Sequence, residues 1–127
     1  MKITLILLLT LLLASCGDDF GSKVVGGNLS VYYVDGSDKS KAESLAMYWK
    51  ENDLIAGEKQ DLQLVKFEDG YELRIIAKNP KGVKQMPFNE RKLLSSLQRT
   101  LRDSIPLDGL ELVLCDSNFK PIYNINE

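Results

Sequence analysis

Histidine is absent from this chain. That removes the commonest general base and the commonest metal-ligating side chain together. Cysteine is scarce, with only Cys16 and Cys115 present, which is too few for a disulfide framework. Neither sign of charge dominates: 16 Lys and Arg stand against 18 Asp and Glu, for a formal net charge of −2. Nucleic acid is therefore not expected as a partner, nor an anionic membrane surface as the main one. No phosphate-cradling glycine motif occurs, and no loop of regularly spaced Asp and Asn of the calcium-binding kind. No cofactor is expected.

A long apolar run is missing too. The most apolar stretch is residues 3–13, interrupted by Thr4 and Thr10, and a membrane-spanning helix needs about 20 such residues. With Lys2 before it and small residues after it, the stretch has the build of a secretion signal that is removed from the mature chain. It ends in Leu13-Ala14-Ser15-Cys16, which resembles the lipobox of bacterial lipoproteins. The resemblance implies a cut before Cys16, a diacylglycerol on its thiol and a further acyl group, such as palmitate, on its new amino group. Two or three acyl chains hold a protein firmly where one is marginal. It also implies a cell-envelope address, at the outer membrane (periplasmic or surface face) ahead of the inner one. An acylated Cys16 leaves Cys115 without a disulfide partner. Loss of Lys2 with the signal takes the formal net charge from −2 to −3.

Residues 16–27 follow as the lipidated tether. Glycines and charges make the segment after Cys16 a linker, with a random-coil reach of about 18 Å. Its Gly17-Asp18-Asp19 start is similar to the short acidic signals that send some lipoproteins of Bacteroidota to the cell surface. A solvated linker explains it equally well.

Residues 28–127 form one domain, large enough for a hydrophobic core of its own. Residues 28–35 are β-branched and aromatic and read as a first strand. A helix over 38–52 carries Ala42, Leu45, Ala46 and Trp49 on one stripe, with Ser40, Glu43 and Asp38 as cap candidates. A hairpin spans 61–78 and turns at Asp69-Gly70, the sequence preferred by a type I′ turn. That turn pairs Leu64 with Ile75 and Lys66 with Leu73, and on the other face Val65 with Arg74 and Phe67 with Glu72. Residues 79–88 are a loop rich in proline, glycine and lysine. A second helix runs from Asn89 to Ser104 with Leu94, Leu97, Leu101 and Ile105 on one side. Residues 110–115 make an interior strand, and 119–125 a short edge strand limited by Pro121. The order β-α-β-β-α-β predicts an α+β ferredoxin-like sandwich: one antiparallel sheet of order 4-1-3-2, two helices on one face, and a possible fifth edge strand. Residues 31–35 and 112–120 resemble parts of small uncharacterised envelope domains, a resemblance that implies no activity.

Candidate sites are few. Cys115 has no histidine to activate it and Asp116 beside it, so it reads as structural. Asp35, Asp38 and Asp116 would sit near one end of adjacent strands and hold a divalent cation, or else cap helices and shape turns. Lys78, Lys81 and Lys84, with Arg91 and Lys92 behind them, make a basic loop that would attract an anionic partner or simply be solvated. The open sheet face carries Tyr32, Val65, Phe67, Arg74 and Ile76 by alternation, with Val34 and Val113 beside them. Aromatics and Arg are enriched in binding hot spots, so this face is the expected partner surface unless the tether, a loop or the last strand covers it. The resulting expectation is a non-enzymatic, lipid-anchored module that binds a protein partner. Its alternatives are a small metal-dependent enzyme built on Asp35, Asp38 and Asp116, or a structural subunit of an envelope assembly. The sequence leaves oligomeric state open.

Overall fold

The computed structural model describes residues 20–55 and 57–125. The expected signal and Cys16, the expected lipid-attachment residue, lie outside the described residues, as do residues 17–19. The elements run β1 (Ser22–Gly26), β2 (Leu29–Tyr33), a 3-10 turn (Gly36–Asp38), α1 (Lys39–Glu51), β3 (Gln60–Phe67), β4 (Gly70–Ile76), a 3-10 segment (Pro80–Gln85), α2 (Phe88–Ser104), β5 (Glu111–Cys115) and β6 (Pro121–Asn124).

The six strands form one mixed sheet in sequence order, β1-β2-β3-β4-β5-β6. The β1–β2, β3–β4 and β5–β6 pairs are antiparallel; the β2–β3 pair, spanned by α1, and the β4–β5 pair, spanned by α2, are parallel. This overturns the ferredoxin-like sandwich and its 4-1-3-2 order. That order needs the first and last strands of the two β-α-β units side by side. Here the edges are already taken: β1 fills one edge of β2 and β3 the other, while β4 and β6 flank β5. Residues 22–26, expected as tether, are the extra strand that closes the first edge.

Alternation gives the sheet two different faces. On one, register places Tyr33, Leu64, Leu73 and Leu112 in a row, with Val31, Leu62, Ile75 and Leu114 in the next. Ala42, Leu45 and Trp49 of α1 and Leu97 and Leu101 of α2 join the same core, with Ile105, Leu107 and Leu110 from the link into β5. Each fully buried leucine contributes about 1.5–3 kcal/mol. The α2–β5 link is tied down by polar contacts. Arg102 Nε donates to Leu110 O at 2.6 Å, and Leu112 N donates to Gln98 Oε1 at 2.8 Å.

The hairpin register differs from expectation by two residues. Leu64 faces Leu73, Val65 faces Glu72, and Phe67 faces Gly70, so the turn is Glu68-Asp69. A type I′ turn at Asp69-Gly70 needs positive φ at both residues. Among the described non-glycine residues only Asp53 and Phe119 have it. An even shift keeps every side chain on its expected face. Gly70 instead sits in the strand at φ 150°, against the turn before β5. A Cβ there would lie 2.5 Å from Asp108 O and 3.0 Å from Gly109 Cα, beside the 3.1 Å bond from Tyr71 N to Asp108 O. Gly70→Ala should therefore cost about 1–3 kcal/mol, read as a lower denaturant midpoint at unchanged slope.

Candidate functional site

The expected partner surface is partly occupied by the chain itself. One row of the face opposite the helices runs Lys23, Tyr32, Gln63, Arg74, Val113. Over it lie two phenylalanines, Phe20 from before β1 and Phe119 from the β5–β6 connection. The rings of Phe20 and Tyr32 are 5.7 Å apart, those of Phe20 and Phe119 5.0 Å, and those of Tyr32 and Phe119 5.9 Å, all edge-to-face. Such pairs add about 0.5–1.5 kcal/mol each beyond burial. Gln63 Nε2 donates to Phe20 O at 3.1 Å. Of the five residues assigned to the partner surface, Tyr32, Val65, Arg74 and Ile76 are half-buried and Phe67 is exposed. Arg74 Nε is paired with Glu72 Oε1 at 2.8 Å, and its Nη1 reaches Phe119 O at 3.5 Å.

Asp116 builds the loop that delivers Phe119. Its Oδ1 accepts from Asn118 N at 2.9 Å and from Lys120 N at 3.0 Å, and its carbonyl accepts from Phe119 N at 3.1 Å. The tight loop drives Phe119 to φ 59° and folds its ring down until it is 3% exposed. Neither phenylalanine was legible as part of a surface. Phe20 is a lone aromatic in a glycine stretch, and Phe119 reads as the start of a strand.

The three aspartates do not converge. Strands β2 and β5 are separated by β3 and β4, about 14 Å across the sheet, and run antiparallel to each other, so Asp35 and Asp116 lie at opposite ends. Asp35 caps the first 3-10 turn. Its Oδ1 accepts from Ser37 N at 3.0 Å and from Ser37 Oγ at 2.8 Å, and these bonds, the backbone one first, hold its carboxyl below the usual value. Asp38 is buried at 1% exposure and accepts from the Tyr71 hydroxyl at 2.9 Å. Lys41 approaches it at 3.7 Å, and the neighbouring Tyr71, then Asp38, raise the Lys41 pKa. Among the described residues no three His, Cys, Asp or Glu side chains cluster as metal ligands. Cys115 is fully buried, and desolvation pushes its thiol up to about 11.

The basic loop borders an apolar depression. The Pro80–Gln85 segment and the start of α2 stand away from the ends of β4 and β5 and leave a groove of about 600 Å³. Ile75, Val83, Met86, Leu93, Leu94 and Leu114 line it. Leu93 is 70% exposed and Phe88, on the first turn of α2, 69%. Lys78 is part of the lining, and Lys81 and Lys84 are exposed on the same segment. The sequence pattern named the lysines but had no means of placing a groove beside them, because the groove depends on how far α2 stands off the sheet.

No family model, curated protein or solved structure matches the chain.

Two outcomes follow from this geometry. Phe119→Ala should destabilise the fold by about 3 kcal/mol. Phe119→Gly, which loses the same ring but suits positive φ, should cost about 1 kcal/mol less, with urea midpoints as the readout. The Cys115 thiol should resist labelling in the native protein and react in denaturant. Because the folded chain keeps this proton to about 11 while the unfolded thiol ionises near 9.0, its contribution is intact below pH 9 and stability falls as pH rises from 9 towards 11.

Proposed function

We propose that this chain is a lipid-anchored, non-catalytic binding module of the bacterial cell envelope. Acyl chains on Cys16 hold it at the outer membrane, and it takes up an acidic, aliphatic-rich segment of another envelope protein. The observation that carries the reading is the groove beneath α2. Aliphatic side chains line it together with the exposed Leu93, Lys78 and Glu90 are the charged residues of the lining, and Lys81 and Lys84 are exposed on the 3-10 segment that borders it. Apolar lining supplies affinity, while the lysines favour carboxylates and speed their arrival. The lipobox-like Leu13-Ala14-Ser15-Cys16 supports the address.

The face expected to bind is less suited to a protein partner, because Phe20 and Phe119 already fill its centre. A groove between a helix and the end of a sheet accepts a helix or an extended segment through a few anchoring side chains.

A photo-crosslinking residue at position 93, in intact cells, should capture one protein whose crosslinked segment is acidic and aliphatic. The same residue at position 47, on α1, should not. Lys81→Glu with Lys84→Glu should weaken the capture about tenfold, equivalent to about 1.4 kcal/mol, at unchanged circular dichroism. Equal capture from both positions, or no effect of charge reversal, refutes the groove as the binding site. Cys16→Ser should move the protein from the membrane fraction to the soluble fraction; retention in the membrane refutes the anchor.

A further inference from the structure

The place where the chain enters the domain sets how the domain sits on a bilayer. Phe20 is fixed on the face opposite the helices, by its ring contacts with Tyr32 and Phe119 and by the Gln63 Nε2 bond to its carbonyl. Gly21 then passes so close to β2 that a Cβ would lie 2.5 Å from Tyr33 O. The free linker is thus much shorter than the glycine pattern suggests. From Cys16 to Phe20 there are four Cα steps, which span at most about 14 Å when fully extended. An acylated Cys16 lies at headgroup level, since its chains are in the hydrocarbon. A radius of about 14 Å around Phe20 covers this face and the β1 edge. The outer sides of the helices are beyond it, because they lie behind the sheet by an interlayer spacing of about 10 Å and a helix radius of about 5 Å.

The same face carries apolar side chains that none of the described residues covers. Val25 is 61% exposed, Val34 60% and Phe67 49%. Register puts Val25 and Phe67 on the side of Tyr32 and Gln63, and Val34 continues the alternation of β2. Lys23 stands over the Tyr32 ring at 5.9 Å. Glu72 and Glu111 stand beside Phe67 on the same face, so it is the exposed aliphatic and aromatic side chains, not charge, that suit the interfacial zone of a bilayer, where apolar groups enter.

We propose that the lipid bilayer is the occupant of this face: the sheet lies against the headgroups through Val25, Val34 and Phe67, and the helices point away from the membrane. This rests on acylation of Cys16. It turns the groove beneath α2 outward, where a partner can reach it.

The test uses the full acylated chain in phosphatidylcholine vesicles containing a phosphatidylcholine spin-labelled on its headgroup. Four variants, Val25→Cys, Phe67→Cys, Met47→Cys and Leu93→Cys, each carry one fluorophore at an exposed site; Cys115 is buried and does not compete for label. Quenching at positions 25 and 67 should exceed that at 47 and 93 about threefold, as for groups held in the headgroup region. Mass spectrometry of the same samples reports the lipid on Cys16. An acylated chain with equal or reversed quenching overturns the orientation alone. A chain without acyl mass overturns the anchor and, with it, the orientation.

Discussion

Leu62, Leu64, Leu73 and Leu112 stand across the three central strands β3, β4 and β5, each no more than 1% exposed. They are shielded because α1 covers the β1–β2 side of the sheet while α2 and its link cover the β5 side. The rest of the architecture rests on that shielding. It forces the sheet to have one dry face, which leaves the opposite face to be managed with the residues that remain. The chain manages it locally. A phenylalanine arrives from each end of the sheet, one ahead of β1 and one after β5, and the two meet over Tyr32. This cover is small, so the face is sealed in the middle and apolar at its margins. Gln63, bonded through Nε2 to Phe20 O, has its Oε1 buried without a hydrogen-bond partner among the described residues.

Local pattern carried the elements. The stripe Ala42, Leu45, Trp49 marked α1 to within a residue at either end, and Asn89 with the leucines behind it marked α2, which begins at Phe88. The strands around Val31, Leu64, Leu73 and Val113 followed from β-branched and aliphatic runs, and the faces of the hairpin were right although its turn was not. Asp-Gly is a strong turn signal, but Gly70 is required for a different reason, the close approach of the turn before β5, and no pattern within the hairpin reports that. Strand order was lost at the least patterned segment. SKVVG lies between glycines and its alternation is too short to separate a strand from a linker. Once β1 was missed, one edge of β2 stood open for a pairing that the real sheet cannot make. The same error hid Phe20. The aspartate trio then fell with the strand order that had assembled it. The groove was illegible on other grounds, since it is a property of the distance between α2 and the sheet and not of any one segment.

A division of labour follows between the two sides of the sheet. The side on which Phe20 meets the sheet is aromatic at its centre. The side built from helices holds the segment with Lys78, Lys81 and Lys84 and the groove next to it.

The sheet order has a further consequence for chirality. The steps from β2 to β3 and from β4 to β5 go the same way across the sheet, but β2 and β4 run in opposite directions. Two right-handed crossovers under those conditions place their helices on opposite faces. Here residues of both helices belong to one core on one face, so the two crossovers are mirror-related in hand and one of them is left-handed. Strand twist favours the right-handed form in about 98% of such connections. The Arg102 and Gln98 bonds to the start of β5 fix where α2 returns to the sheet.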